Sequence, residues 1–216
     1  MPIFSDGFTD TTGTCAENHA PDATGASWYT LFQASAQLIV TSNELAINSN
    51  AAGTGHTIGA ANGPVVNDFE IGVTISNVDT GTASRRSGML GRLTSIGDYY
   101  KAEFLPTGHA SNDCTIFKKV GGTKTSIATV DTGLAASDII TFRITNENKV
   151  LYKAGACIIS TNDNALTGLG LVAFASGRID ANDSSNAGNA YRYDNFTVNE
   201  IDTITTYPRQ SNIYRM

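Results

Sequence analysis

The sequence predicts an all-β fold, an antiparallel sandwich of two sheets, and three observations predict it. Apolar and polar residues alternate in short runs: Ile140, Phe142 and Ile144 fall on one side, Thr141, Arg143 and Thr145 on the other. That period of two gives a strand one dry face and one wet face. Turn residues recur roughly every 8–12 positions, the spacing of a sandwich or barrel. Apolar spacing at i, i+3, i+4, i+7 is nowhere sustained, so no helix is predicted. At 216 residues the chain has the size of one large β domain.

In order along the chain, residues 3–8 form a short first strand with Phe4 and Phe8 flanking Asp6-Gly7, and residues 9–26 read as a polar surface loop. Trp28 opens the next apolar run. Residues 37–40 and 44–47 pair around Thr41-Ser42-Asn43, and residues 48–63, small and polar, read as a second long loop. Phe69, Ile71, Val73 and Ile75 share one face of a strand over 68–76. Strands at 87–94 and 99–105 are joined by residues 95–98. Those at 114–120 and 123–130 flank Gly121-Gly122, a two-residue hairpin signal because such turns need positive φ. Residues 138–160 make a three-strand meander broken at Asn146-Glu147-Asn148 and Ala154-Gly155-Ala156, and strands at 168–174 and 193–198 close the sandwich. The predicted organisation is a sandwich over 1–202 and an extended arm over 203–216.

Composition bounds the function classes. Charged residues are 16% of the chain against roughly 25% for an average soluble protein. Ser, Thr, Asn and Gly must therefore cover the surface. A net charge of −6 argues against a nucleic-acid partner, which needs a basic footprint. No run of about 18 apolar residues spans a membrane, and Met1-Pro2-Ile3-Phe4 enters the first strand without a secretory signal. Cys15, Cys114 and Cys157 have neither metal spacing nor a C-x-x-C pair, so three free thiols made in a reducing cytoplasm are expected.

The meander of 138–160, the strand Gly168-Leu169-Gly170-Leu171 and the final Tyr193-Asp194-Asn195-Phe196 strand together resemble the concanavalin A-like lectin/glucanase superfamily. The resemblance implies a two-sheet jelly roll like that of laminin-G-like modules, but no function by itself. Members that cleave β-glucans carry a Glu-x-Asp-x-x-Glu strand, whose alternate residues place two carboxyls about 5 Å apart on one face. The nearest stretch, Asp68-Phe69-Glu70-Ile71-Gly72-Val73, has the acids in the wrong order and Val73 where the second Glu belongs, and Glu103 is isolated. No catalytic residues and no enzymatic activity are expected.

The resemblance also implies a structural calcium ion where first and last strands meet, at Asp6 and Asp194; a carboxylate accepting backbone hydrogen bonds is the stronger reading of each. No other cofactor is expected. His19, His56 and His109 fall in predicted loops and read as surface histidines. Carbohydrate binding requires an exposed ring beside polar groups, and Trp28, Tyr99 and Tyr100 are the candidates, although a lone Trp in a sandwich is more often core. In the arm, Tyr207, Arg209, Tyr214 and Arg215 are residue types enriched at interfaces and predict an intersubunit contact. These features lead to an expected non-enzymatic structural protein of a virion: a bacteriophage capsid decoration, head-fibre or tail-associated subunit. It would be homo-oligomeric and partnered by other virion proteins. The alternative is an extracellular carbohydrate-binding module recognising a surface polysaccharide, and the third reading is a glycan-cleaving enzyme with a non-standard site.

Overall fold

In the computed structural model, which describes residues 4–22, 27–34, 36–48, 55–61, 67–78, 86–105, 114–177 and 191–201, the chain pairs into two antiparallel sheets. Its strands are β1 (Phe4–Asp6), β2 (Ser27–Ala34), β3 (Leu38–Thr41), β4 (Glu44–Ile47) and β5 (Gly55–Ala61). Next come β6 (Phe69–Val78), β7 (Ser87–Ser95), β8 (Asp98–Phe104), β9 (Cys114–Val120) and β10 (Thr123–Val130). The last five are β11 (Ile139–Ile144), β12 (Asn148–Lys153), β13 (Ala156–Asn162), β14 (Leu171–Gly177) and β15 (Tyr191–Glu200). One sheet has the order β13-β12-β11-β6-β15-β4-β3, with β1 also pairing β15; the other runs β10-β9-β8-β7-β14-β5-β2.

The all-β, two-sheet reading holds. The inner face of the eight-stranded sheet supplies Phe69, Ile71, Val73 and Ile75 from β6, Ile140, Phe142 and Ile144 from β11, and Phe196 and Val198 from β15. Opposite them lie Met89, Tyr100, Ala102, Phe104, Ile116 and Phe174 of the seven-stranded sheet. Each side chain removed from water here contributes about 1.5–3 kcal/mol relative to exposure. Gly121 and Gly122 turn at φ 55° and 81°, as their hairpin requires.

Two predicted loops contain more structure than expected. The first holds a 3-10 turn at Ala16–Asn18 and an isolated bridge from Cys15 to Ile39 of β3. The second contains β5, which pairs β14 on one side and β2 on the other. Its sequence GHTIGAA has too few large apolar residues to show alternation, and only its neighbours mark it as a strand.

Buried cations tie one end of the sandwich together. Arg92, at φ 51° in a bulge of β7, donates to the carbonyls of Asn67 (3.0 Å), Leu166 (2.8 Å) and Asn146 (3.2 Å), and pairs with Asp68 at 3.2 Å. Lys149 donates to the carbonyls of Thr145, Asn146 and Asp163 and lies 4.6 Å from the centre of the Tyr100 ring. Burial, with Arg92 as a like charge nearby, brings the Lys149 pKa down to about 8. Asp163 accepts from Lys118 at 2.5 Å and from the Tyr100 hydroxyl at 2.6 Å. A dry interior tolerates such charges only when each is paired or hydrogen-bonded.

Candidate functional site

Trp28 is core rather than an exposed platform. It is 2% exposed, edge-on to Phe4 and Phe196 at 5.1 Å each, and it stacks on Phe8. Its indole N–H donates to Asp6 Oδ2 at 2.5 Å. The other oxygen of Asp6 accepts the Phe8 N–H at 2.7 Å and lies 2.8 Å from His19 Nε2. His19 Nδ1 is 3.2 Å from Asp10 Oδ2, so this histidine is buried between two carboxylates and not on the surface. Burial works to lower its pKa, but the hydrogen bonds and charges of Asp6 and Asp10 outweigh that and raise it.

The donors around Asp6 are those of a structural carboxylate, and they do not fit a calcium ligand. Asp194 accepts from the backbone and side-chain N–H groups of Asn195. Burial raises its pKa, and the charges of Glu44, Asp6 and Asp22 push it the same way. Among the described residues no three His, Cys, Asp or Glu side chains group to hold a metal ion. Tyr99 and Tyr100 are successive residues of β8 and so leave it on opposite faces, both 0% exposed. Tyr100 enters the core, and burial together with its bond to Asp163 pushes its pKa up to about 12. Trp28, Tyr99 and Tyr100 therefore form no shared platform. His56 is buried on β5. Tyr207, Arg209, Tyr214 and Arg215 lie outside the described residues, as does His109.

The face that combines a ring, a cavity and charge is the outer face of the seven-stranded sheet. Leu90, Leu93, Tyr99, Ala173 and Ala175 form a second apolar cluster there, each no more than 3% exposed, with the partly buried Leu31 and Leu171 packed against it. At one end a cavity of about 250 Å³ is lined by Leu31, Leu93, Leu171, Ile96, Thr94 and Ser95. Beside it Tyr29, half-buried, lies against Gly59 of β5. A Cβ at Gly59 would sit 2.9 Å from two atoms of the Tyr29 ring and 3.0 Å from Leu31 Cδ1, so a glycine is what lets the ring lie down. Tyr29 is the residue that sequence reasoning missed. The signal was present: Trp28 points inward, so its neighbour must point outward.

At the other end of this face, Glu103 is held by three cations. Arg86 and Lys101 approach it at 2.7 Å each and Lys124 at 3.2 Å. Burial alone would raise its pKa; the three charges prevail and hold it at about 2. Asp98 is the other carboxylate in the seven strands of this sheet. It accepts from Ser95 Oγ and the Gly121 N–H at a turn, contacts that lower its pKa.

No protein-family model matches the sequence, and no curated protein matches it. Solved structures do match the fold. A carbohydrate-binding module CBM66 from Bacillus subtilis aligns at a TM-score of 0.57 and 16% identity, over 80% of this chain and 95% of its own. The exoplasmic/lumenal domain of VIP36 in a Ca2+/Man2-bound form aligns at 0.57 and 9% identity, covering 94% and 92%. A prokaryotic β-1,3-1,4-glucanase (lichenase) from a mouse hindgut metagenome aligns at 0.56 and 10%, covering 92% and 99%. The fold is the concanavalin A-like jelly roll. At these identities the likeness extends to fold alone, and within this jelly roll the lichenase and the carbohydrate-binding module share one architecture.

Two outcomes follow from the buried carboxylates. Asp6→Ala strands the Trp28 indole, the Phe8 N–H and His19, and should cost about 3 kcal/mol or more in urea denaturation. Glu103 has a folded pKa below its unfolded value, so its contribution is complete above about pH 4.5 and is lost as pH falls toward 2. The urea midpoint of Glu103→Gln, followed from pH 5 to 2, should fall less steeply than that of the wild type.

Proposed function

We propose that this protein is a non-catalytic glycan-binding sandwich, holding its sugar at the cavity at one end of the outer side of the seven-stranded sheet, with Tyr29 as the stacking ring. The observation that carries this reading is the half-buried Tyr29 ring laid against Gly59 beside the cavity at Leu31, Leu93 and Leu171. A sugar has one apolar C–H face and a rim of hydroxyls. The first suits an aromatic ring and leucine methyls; the second suits the hydroxyls of Thr94 and Ser95. Small-ligand sites are mostly apolar with a few placed polar groups, and this face has that balance. That two of the fold neighbours are a carbohydrate-binding module and a Man2-bound domain supports a sugar over other small ligands.

The non-catalytic part of the reading rests on the two strand carboxylates. A glycosidase needs one carboxyl that stays protonated near neutral pH and a second within reach. Glu103 is clamped by three cations and Asp98 by backbone and hydroxyl donors at a turn, so neither suits the role of general acid. A structural role in a virion draws its support from the charge-poor surface and from the arm at 203–216. The arm lies outside the described residues, so glycan binding takes first place.

Because Trp28 is buried, retardation in polysaccharide-loaded native gels is a better first readout than its fluorescence. At least one polysaccharide should retard the wild type, and Tyr29→Ala should weaken binding roughly tenfold, about 1.4 kcal/mol. Gly59→Ala should weaken it too by lifting the ring. Absence of retardation by both neutral and acidic polysaccharides, or an unaffected Tyr29→Ala, overturns the reading. The virion role predicts separately that a chain ending at Asp202 is a folded monomer while the full chain is an oligomer. Equal monomeric masses by light scattering would remove it.

A further inference from the structure

His56 is buried on β5, and both ring nitrogens are engaged in a way that fixes its protonation state. The backbone N–H of Leu38 donates to Nδ1 at 2.7 Å, so Nδ1 must carry a lone pair. Nε2 therefore carries the single proton and donates it to Thr30 Oγ1 at 3.1 Å. Leu38 is the first residue of β3, the edge strand of the opposite sheet, whereas β5 and Thr30 belong to the seven-stranded sheet. One neutral imidazole thus bridges the two sheets at their edge.

Its surroundings hold two acceptors that this neutral state does not use. Ser176, the cross-strand partner of His56 on β14, has a buried Oγ with no hydrogen-bond partner among the described residues. Glu17, on the 3-10 turn that packs against β2 and β3, has a buried Oε2 in the same condition. Glu17 is also the charged group that acts on His56, favouring its protonation, while burial opposes it more strongly and keeps the pKa below the usual value. Among the described residues, the groups that His56 bonds and its other strand partners are uncharged: Thr30 and Gln33 on β2, Leu38 on β3, and Ser176 with its own partner Ser87. Tyr193, bonded to Ser87, has a phenol pKa that burial pushes well above the ordinary value, so it stays neutral.

We propose that His56 is a proton-operated latch between the sheets: neutral, it holds the Leu38 N–H and seats β3; protonated, it releases that N–H and turns to Glu17. A proton arriving at Nδ1 sets N–H against N–H at 2.7 Å, an arrangement that cannot persist. Glu17, whose charge favours the protonated ring, is the carboxylate that the latch assigns to the cation. One proton passes from solvent to Nδ1, forming its N–H bond, and the hydrogen bond from the Leu38 N–H to the ring is lost. The latch stands independently of glycan binding, since none of its groups lies on the outer face of the seven-stranded sheet.

Nuclear magnetic resonance of the full chain tests it. At pH 7.5 His56 should show the Nε2–H tautomer, and its titration midpoint should lie below the ordinary 6.5. As it titrates, the hydrogen-exchange protection of the Leu38 amide should drop at least tenfold, while that of Val73 in the middle of its sheet stays constant. Glu17→Gln should move the midpoint lower, and His56→Gln should abolish the pH dependence at Leu38. The latch is overturned if Leu38 protection stays flat through the His56 titration, or if its pH dependence survives in His56→Gln. Should His56→Gln fail to fold, Glu17→Gln decides: an unmoved midpoint overturns the latch as well.

Discussion

The pleat of the strand is the constraint on which the rest of this structure depends. Successive side chains leave on opposite faces, so a residue committed to the space between the sheets cannot also meet a ligand. β2 shows the consequence at its sharpest. Trp28 turns inward among Phe4, Phe8 and Phe196, and Tyr29 turns outward onto Gly59. β8 repeats it, with Tyr100 in the core and Tyr99, Lys101 and Glu103 on the other face. Core and candidate site are interleaved along the same strands, one residue apart.

A second constraint is electrostatic. The chain has few charges, and several of them are buried, where each must find a partner. Most of the partners come from other segments of the chain. Asp6 gathers Trp28 and His19; Arg92 gathers the carbonyls of Asn67, Asn146 and Leu166; Glu103 gathers Arg86, Lys101 and Lys124. These junctions fasten segments of the sandwich to one another by hydrogen bonds and ion pairs, beside the apolar packing. His56 belongs to the same group but differs in one respect. Its geometry requires a neutral ring, so its bond to Leu38 depends on pH in a way a guanidinium clamp does not.

Most of the strands were legible in the sequence because large apolar residues alternate along them, as in β6 and β11. β5 was not, since His56, Thr57, Gly59, Ala60 and Ala61 give no periodic signal. Its strand character comes from β2 and β14 on either side. The candidate site was legible only in part. The prediction that a ring serves a ligand went to Trp28, Tyr99 and Tyr100 on residue type, and all three are buried. Likewise His19 and His56 looked like loop histidines, because nothing local announces the carboxylates or the backbone N–H that hold them.

By itself the sequence determined the fold class, the hairpins at Gly121-Gly122 and Ala154-Gly155, and the inward set of β6 and β11. These depend on local alternation and on turn stereochemistry, which are written in neighbouring residues. The tertiary structure alone decided which ring lies on a face, which carboxylate is clamped and which histidine joins the sheets. Those properties arise between residues far apart in the chain: 13 positions separate His19 from Asp6, 18 separate His56 from Leu38, and 74 separate Arg92 from Leu166. Burial and pairing over such separations exist only once the two sheets have closed on each other.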